Sequence, residues 1–434
     1  MNAAAGPPSE RILGEEERKV AAQALLSLLR GPVASVKPPD LTPVLWDGVL
    51  AEAARHQVVP ILFRRLERPD VRATVPADVY DSLRDMFVLR AFRTTKLMRE
   101  TAAAIRMLEA AGIRTMVLKG VHLAAAVYPE PAFRGMADVD FMVDRDQLAA
   151  AEALFVDQGW GPLPRPDVDR FCEQSNHLAK LWKPGSIVIE IHYHIERPTS
   201  PFRIPVSELW ANARPVELEG VRTLGLAPEE LILHLCIHAS YHHRYSRAPL
   251  KALLDVRAVA ERYGDAIDWP RLRRIATEWG VGRFVYSTLR LANAVLAAPI
   301  DERDIAMFER DQADDELVDV AKDYIVTPFV DLPEAYELLA EPVRFRNRLR
   351  LLTRSVFLPP VQMRVRYGVK AGSPAVFLYY LLRPFDLLYR RGGLLLGLLL
   401  RTRKLQPTLK RERDRRLINH WVDAAHDDPT RLAS

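Results

Sequence analysis

The stretch Arg134-Gly135-Met136-Ala137-Asp138-Val139-Asp140-Phe141-Met142-Val143 decides the fold. Its second half predicts a β-strand over Val139–Val143. Because side chains in a strand alternate between the two faces, Asp138 and Asp140 point the same way, while the apolar residues between them anchor the strand in a core. Neighbouring carboxylates repel each other unless a cation lies between them. The pair therefore predicts a site for Mg²⁺, or for Mn²⁺ in its place.

A second acidic strand follows in Ile187-Val188-Ile189-Glu190-Ile191-His192-Tyr193-His194. Apolar and polar residues alternate, so Glu190, His192 and His194 share one face. If this strand pairs beside the first, Glu190 becomes a third carboxylate. Three carboxylates can hold two metal ions about 3.5–4 Å apart, the arrangement that serves phosphoryl transfer. The third can also accept the proton of an attacking hydroxyl. The structural alternative for Asp138 and Asp140 is a solvated strand edge.

Helical periodicity dominates on both sides of these strands. Between these helical regions the pattern predicts a strand, a helix, a strand, a helix and then a hairpin. A type II turn at Lys183-Pro184-Gly185-Ser186 connects the two strands of the hairpin. The fold class predicted is α+β, with a small mixed-sheet core embedded between helical regions and a helix-rich chain overall. The predicted regions are a disordered N-terminus (1–14), an N-terminal helical region (15–95), the α/β core (96–215), a helical domain (216–340) and a basic amphipathic C-terminal region (341–434).

Charge is distributed unevenly along the 434 residues, whose formal net charge is +5. Residues 361–416 contain 14 Lys or Arg against three acids, so this segment carries +11 and the remainder about −6. Such a basic segment predicts an anionic partner, and its leucine-rich part, Phe377–Lys404, predicts peripheral contact with an anionic membrane surface. The alternative is a helix packed on the body. Aromatic residues are not interleaved with the charges, so nucleic acid is not expected.

Cysteine usage and the chain start indicate the compartment. Cys172 and Cys236 lie far apart and lack the spacing of a zinc site. The first residues show no basic segment followed by an apolar one, so no signal peptide is predicted. The expected location is the cytoplasm, with peripheral contact at the inner face of the membrane as a further expectation.

Several short motifs, taken together, carry a resemblance to a known family. The chain is similar to the poorly characterised bacterial nucleotidyltransferases of the DNA polymerase β-like superfamily, from about residue 45 to about residue 300. The resemblance implies a nucleotidyltransferase fold with an all-helical companion domain, metal binding by Asp138 and Asp140, and Glu190 as the third carboxylate. The matching pieces are Leu118-Lys119-Gly120, Tyr128-Pro129, Arg134-x-Met136-x-Asp138-x-Asp140, Ile189-Glu190-Ile191-His192, Leu231-x-x-His234-Leu235-x-x-His238 and Leu254-Asp255.

Nucleotide binding is the next implication of the resemblance. The wider superfamily opens the triphosphate-binding helix with Gly-Ser, whereas this chain has Lys119-Gly120-Val121. Gly120 still allows backbone N–H groups to approach phosphate at a helix start, and Lys119 adds positive charge. Arg134 is either a phosphate contact or a structural partner of an acid. His234 and His238 are expected to pack or to line a cleft, and Asp255 to face that cleft.

The function predicted is transfer of a nucleoside monophosphate from an NTP, expected to be ATP, to a hydroxyl or amine acceptor, with release of pyrophosphate. The acceptor would be a small molecule or a protein. One alternative is a catalytically retired nucleotide-binding or scaffold protein, which the missing serine favours and the three retained acids oppose. The other alternative is an enzyme that extends nucleic acid.

Overall fold

The computed structural model describes residues 13–32, 41–162, 175–308, 310–327 and 406–427, together with residues 357, 363, 367, 373–374 and 376–386. The described residues form two compact units. One contains those up to Val326 and those from Leu417 onward, and the other those within Thr327–Arg416. The finer division into five regions stays a prediction.

A single mixed sheet of seven strands lies in the first unit, in the order β3-β4-β5-β2-β1-β7-β6. Two of its contacts, β2 with β5 and β1 with β7, are parallel, and the other four are antiparallel. With the many helices around this sheet, the α+β fold class is confirmed. The strands are β1 (Met116–Val117), β2 (Asp138–Met142), β3 (Gly161–Pro162), β4 (Leu181–Trp182), β5 (Val188–His192), β6 (Arg214–Leu218) and β7 (Val221–Gly225).

Helices surround the sheet and make up most of the described chain. A long helix begins directly after Pro76 and runs from Ala77 to Ala110, and Gly112 follows it at a φ of 73°, a conformation that a glycine adopts without strain. The other α-helices are Glu15–Leu29, Pro43–Arg55, Val59–Leu66, Pro69–Arg72, Lys119–His122, Leu148–Asp157, Val206–Asn212, Pro228–Ile237, Pro249–Tyr263, Trp269–Trp279, Gly282–Leu296, Glu302–Ile305, Gln312–Val326 and Gln406–Asp427.

The two faces of the central strands have different environments. Val139 and Phe141 of β2, with Ile189 and Ile191 of β5, are fully buried in one hydrophobic cluster with the helices Ala77–Ala110 and Leu148–Asp157. The alternate residues of both strands, the acids among them, face the other way. A second, larger cluster joins the remaining helices to the opposite side of the sheet through Met116, Leu118 and Met142. The acid-bearing strands therefore lie between two hydrophobic cores.

The observed strands differ from the predicted ones in extent and in number. The first strand, which the apolar run Ile113–Leu118 predicts, extends only over Met116–Val117, and β3 was not predicted. The hairpin β6–β7 was not predicted at all. Its two-residue loop, Glu219-Gly220, has φ values of 48° and 73°, which matches the hairpin turns that suit twisted strands. The alternation on both sides of Glu219-Gly220 was the signal that could have revealed it.

The basic C-terminal region is described only in part. Residues 387–405, which include the predicted apolar run Leu394–Leu400, lie outside the described residues. The described piece 376–386 is helical. Among the described helices, none combines the length and hydrophobicity that crossing a membrane requires.

Candidate active site

The register of β2 and β5 brings the two acidic strands together. Asp140 pairs with Glu190, and Met142 with His192, on adjacent parallel strands. Asp140, Glu190 and His192 are buried, and each offers one ligand atom such that these atoms lie within 4.8 Å of one another. Two carboxylate oxygens and one imidazole nitrogen form a donor set suited to a divalent metal ion. The residues present therefore fit the metal that the acidic strands predict.

Asp138 lies apart from these three ligands and binds a lysine that the sequence analysis missed. The Nζ of Lys180 is 2.7 Å from Asp138 Oδ2 and also contacts Glu190 Oε1. Lys180 precedes Leu181, which pairs with Ile189, so the hairpin register places the lysine beside Glu190. The predicted turn at Lys183–Ser186 brings these two strands together, but the sequence pattern alone does not give this register. Lys180 connects the more exposed carboxylate to the buried one.

Lys119 approaches the same centre from the end of β1. Its Nζ lies 2.7 Å from Asp140 Oδ1, and its backbone has a φ of 45°, a left-handed conformation that is uncommon for residues other than glycine. Strained backbone of this kind is found at functional sites when the surroundings enforce it. The lysine predicted to bind the nucleotide thus contacts a carboxylate of the candidate metal site.

Electrostatics keep both buried acids ionised. Burial opposes the charge on Asp140, but the Lys119 ammonium and the hydrogen bond from His192 outweigh it and hold the pKa of Asp140 well below its usual range. At Glu190, burial and Asp140 raise the pKa, while His192, Lys119 and Lys180 lower it to about 2. Despite burial, the acids raise the pKa of Lys119 and of Lys180.

Arg134 is held in a buried ion pair. Its Nε donates to Asp255 Oδ1 at 2.7 Å, and the hydroxyl of Tyr128 donates to the same oxygen at 2.9 Å. Asp255 is 3% exposed, so it is buried against its partners and does not face an open cleft. Of the two interpretations of Arg134 left open by the sequence, the contacts favour a structural partner of an acid.

Gly120 packs tightly against the segment that enters β2. A Cβ atom at this position would lie 3.2 Å from Met136 Cβ and 3.6 Å from Arg134 Nη1. The glycine therefore allows the short helix Lys119–His122 to approach the turn before the metal strand. This close packing is one reason for a glycine at position 120. The predicted approach of phosphate would be a second, independent reason.

A polar cleft of about 640 Å³ opens next to the centre. Lys119 and His192 lie on its wall, so the cleft reaches one of the three candidate metal ligands directly. His234 and His238 also line it, as one of the two interpretations of these residues predicted. Among the described residues that line it, Glu196 is the only acid, against four cations, so the lining carries more positive than negative charge. The four cations are Lys119, Arg197, Arg244 and Arg247, and the lining histidines are His177, His192, His234, His238, His242 and His243.

The histidine wall of the cleft is built on an irregular helix. After Pro228–Ile237 the chain continues as a π-helix over His238–His242, a feature frequent at functional sites. The Nε2 atoms of His238 and His243 are 3.1 Å apart, and His242 Nε2 lies 3.0 Å from Glu196 Oε2. Burial is the main cause that lowers the pKa of His243 to about 4, so its ring is neutral at pH 7.

A mixed sheet with acids on two adjacent parallel strands, flanked by helices and open to a basic cleft, is the arrangement expected of a nucleotidyltransferase. The chain belongs to the family described as uncharacterised nucleotidyltransferase, whose profile matches residues 42–297. This confirms the resemblance seen in the sequence, though not a bacterial origin.

Comparison with solved structures gives one distant neighbour. It is an antigenic nucleotidyltransferase-like protein from Paracoccidioides brasiliensis, 13% identical, with a TM-score of 0.30. The match covers 51% of this chain and 96% of the other. Comparison with curated proteins found no match.

Proposed function

We propose that the protein transfers a nucleoside monophosphate from an NTP to a hydroxyl or amine acceptor and releases pyrophosphate. The observation that supports the proposal is the parallel register of Asp140 with Glu190, which brings three possible metal ligands together, one of them, His192, on the wall of a basic cleft. Family membership supports the reaction class. ATP is the expected nucleotide, and the cytoplasm the expected location.

In the proposed reaction the acceptor atom forms a bond to the α-phosphorus. The bond from that phosphorus to the α–β bridging oxygen breaks, and pyrophosphate leaves with the electron pair. A bound divalent cation supplies charge stabilisation for the phosphate oxygens and for the acceptor oxygen. Asp140, Glu190 and His192 would hold this cation.

The remaining groups would orient the substrates and move the proton. Asp138, with its side chain 37% exposed, is better placed than Glu190, at 8%, to accept the proton of the acceptor. Lys119 lines the cleft at the metal centre, where its ammonium would contact triphosphate oxygens. Arg197 and Arg247 would add positive charge along the cleft wall.

The test is incubation of the protein with each labelled NTP, Mg²⁺ or Mn²⁺ and a cell lysate. We expect label to move into a protein or a small molecule, and the Asp140→Asn variant to abolish this transfer. The class of labelled product identifies the acceptor. If no NTP yields an Asp140-dependent product with either metal, the proposal fails.

The second candidate is a nucleotide-binding protein without turnover. The observation that favours it is that Lys119 and Lys180 already contact all three carboxylates. The same experiment separates the two candidates, since a retired site would bind labelled NTP without releasing pyrophosphate.

We also propose that the basic C-terminal region contacts anionic membrane surfaces. In the described helix 376–386, Phe377, Leu381 and Phe385 are 67%, 70% and 74% exposed, and their spacing of four residues places them in one stripe. Lys and Arg near an anionic surface add about 1 kcal/mol each. Flotation with anionic and neutral vesicles tests this, and equal recovery with both would refute it.

A further inference from the structure

The ammonium group of Lys180 lies between Asp138 and Glu190, two of the three carboxylates that the sequence predicted to hold metal. Its Nζ lies 2.7 Å from Asp138 Oδ2 and contacts Glu190 Oε1. A cation between two carboxylates relieves their mutual repulsion. Lys180 therefore already relieves the repulsion between these two carboxylates, as a second metal ion would do.

The charges at the centre favour a single divalent ion. Asp138, Asp140 and Glu190 contribute three negative charges, and Lys119 and Lys180 contribute two positive charges through direct contacts. One divalent ion changes the resulting net charge from −1 to +1, whereas a second would raise it to +3. Asp140 and Glu190 are buried, and like charges repel more strongly in such surroundings than in water.

The ligands are grouped in the same way. Asp140, Glu190 and His192 offer atoms within 4.8 Å of one another, whereas Asp138 is not part of this group. His192 Nε2 lies 3.0 Å from Asp140 Oδ1 and 3.5 Å from Glu190 Oε2, so it faces both acids. A nitrogen donor favours transition-metal ions over Mg²⁺, which makes Mn²⁺ the suitable probe.

We propose that the centre binds one divalent ion, through Asp140, Glu190 and His192, and that Lys180 is a built-in second cation bridging Asp138 and Glu190. The inference rests on the proposed function only in taking the acids to be a metal centre. It replaces the two-ion arrangement expected from the sequence with one ion and one lysine.

The test is a Mn²⁺ titration of the full-length protein without nucleotide, followed by electron paramagnetic resonance and calorimetry. We expect one tightly bound ion per chain in the wild type. Lys180→Met should bind two, because Asp138 and the second oxygen of Glu190 become available. Lys180→Arg keeps the charge and should stay at one. Lys183→Met is the matched control, since Lys183 contacts Gln158 and the Trp160 ring and lies away from the acids.

Two ions or none in the wild type, or a Lys180→Met variant that still binds one ion, would overturn the inference. Circular dichroism checks the fold, and if Lys180→Met does not fold, the counts for the wild type and Lys180→Arg decide. Labelled-NTP transfer is measured in parallel. One bound ion without any transfer would remove the proposed function alone, and transfer with two bound ions would remove only the present inference.

Discussion

Asp140 and Glu190 are register partners on two adjacent parallel strands, although the helix Leu148–Asp157 and the strands β3 and β4 lie between them in the chain. Their carboxylates share His192, whose Nε2 lies 3.0 Å from Asp140 and 3.5 Å from Glu190. Two acids with a common nitrogen neighbour act as one unit, so changes at either should affect the same ion. This coupling underlies the first two predictions.

Asparagine at Asp140 and at Asp138 should have different effects on metal binding. Asp140→Asn removes a ligand, so we expect it to lose Mn²⁺ binding and nearly all nucleotidyl transfer. Asp138→Asn should also lose nearly all transfer, but it should keep one bound ion because Asp138 lies outside the ligand group. Titration and labelled-NTP assays check this. Full transfer activity in either variant would exclude the proposed mechanism.

Glutamine at Glu190 should lower the transfer rate by at least ~10²-fold, the low end for losing one electrostatic stabiliser of a transition state, because Glu190 would help to hold the cation. It should also weaken Mn²⁺ binding, since a carboxylate ligand becomes a neutral amide. Rate measurements at saturating NTP test the first effect and titration the second. Glu217→Gln, an exposed change on β6 of the same sheet, is the control. A rate near that of the control would mean that Glu190 is only a strand residue.

Alanine at Lys119 should weaken NTP binding, because its ammonium faces both the cleft and Asp140. The difference from the wild type should shrink at high salt, where charge contacts are screened. Fluorescence titration with a labelled ATP analogue at two ionic strengths measures this, with Lys183→Ala as the control. Unchanged affinity would place the triphosphate elsewhere in the cleft.

Alanine at Arg134 should destabilise the fold by about 3–5 kcal/mol, because it leaves a buried carboxylate without its partner. Asp255 would retain only the hydroxyl of Tyr128. Arg114→Ala, which breaks the exposed pair with Asp144, should cost no more than about 1 kcal/mol. Urea unfolding compares the two variants. A stable Arg134→Ala protein with weakened NTP binding would instead support the phosphate-contact interpretation.

His122 should make the fold sensitive to acid. Burial lowers its pKa to about 4, below the usual 6.5, so the folded protein holds the ring neutral while the unfolded chain takes up a proton. Stability from this group is complete above pH 6.5 and is lost as the pH falls toward 4. Between pH 7 and pH 5 the loss should be about 2 kcal/mol.

Urea unfolding at both pH values tests this prediction. The His122→Gln variant should show a smaller decrease in the free energy of unfolding than the wild type. His420→Gln, a change at an exposed position, should not differ from the wild type. Identical pH dependence in all three proteins would contradict a buried neutral ring at position 122.

Local patterns in the sequence were sufficient to predict the centre of the fold. Alternation identified the strands that carry Asp140 and Glu190, and Pro184-Gly185 identified the turn, where Gly185 has a φ of 76°. These features depend on side-chain periodicity and backbone preference, which act between near neighbours. The family resemblance then supplied the fold that relates them.

Contacts between distant segments could not be predicted in the same way. The binding of Lys180 to both Asp138 and Glu190 depends on a hairpin register, and the pairing of Arg134 with Asp255 depends on how a helix packs beside the sheet. Neither contact produces a periodic pattern in the sequence. Whether Lys180 and Arg134 have structural or chemical roles could therefore be judged only from their positions in three dimensions.

The parallel pairing of β2 with β5 also has a consequence for how the chain folds. Parallel neighbours need a long crossover, so Asp140 and Glu190 meet only after a large loop has closed, and a partly folded chain has no centre at which to bind an ion. An ion that binds only the native state adds about 2.7 kcal/mol of stability when its concentration is a hundred times the dissociation constant. The supply of the ion in the cell would thus help to set how much of the protein escapes proteolysis.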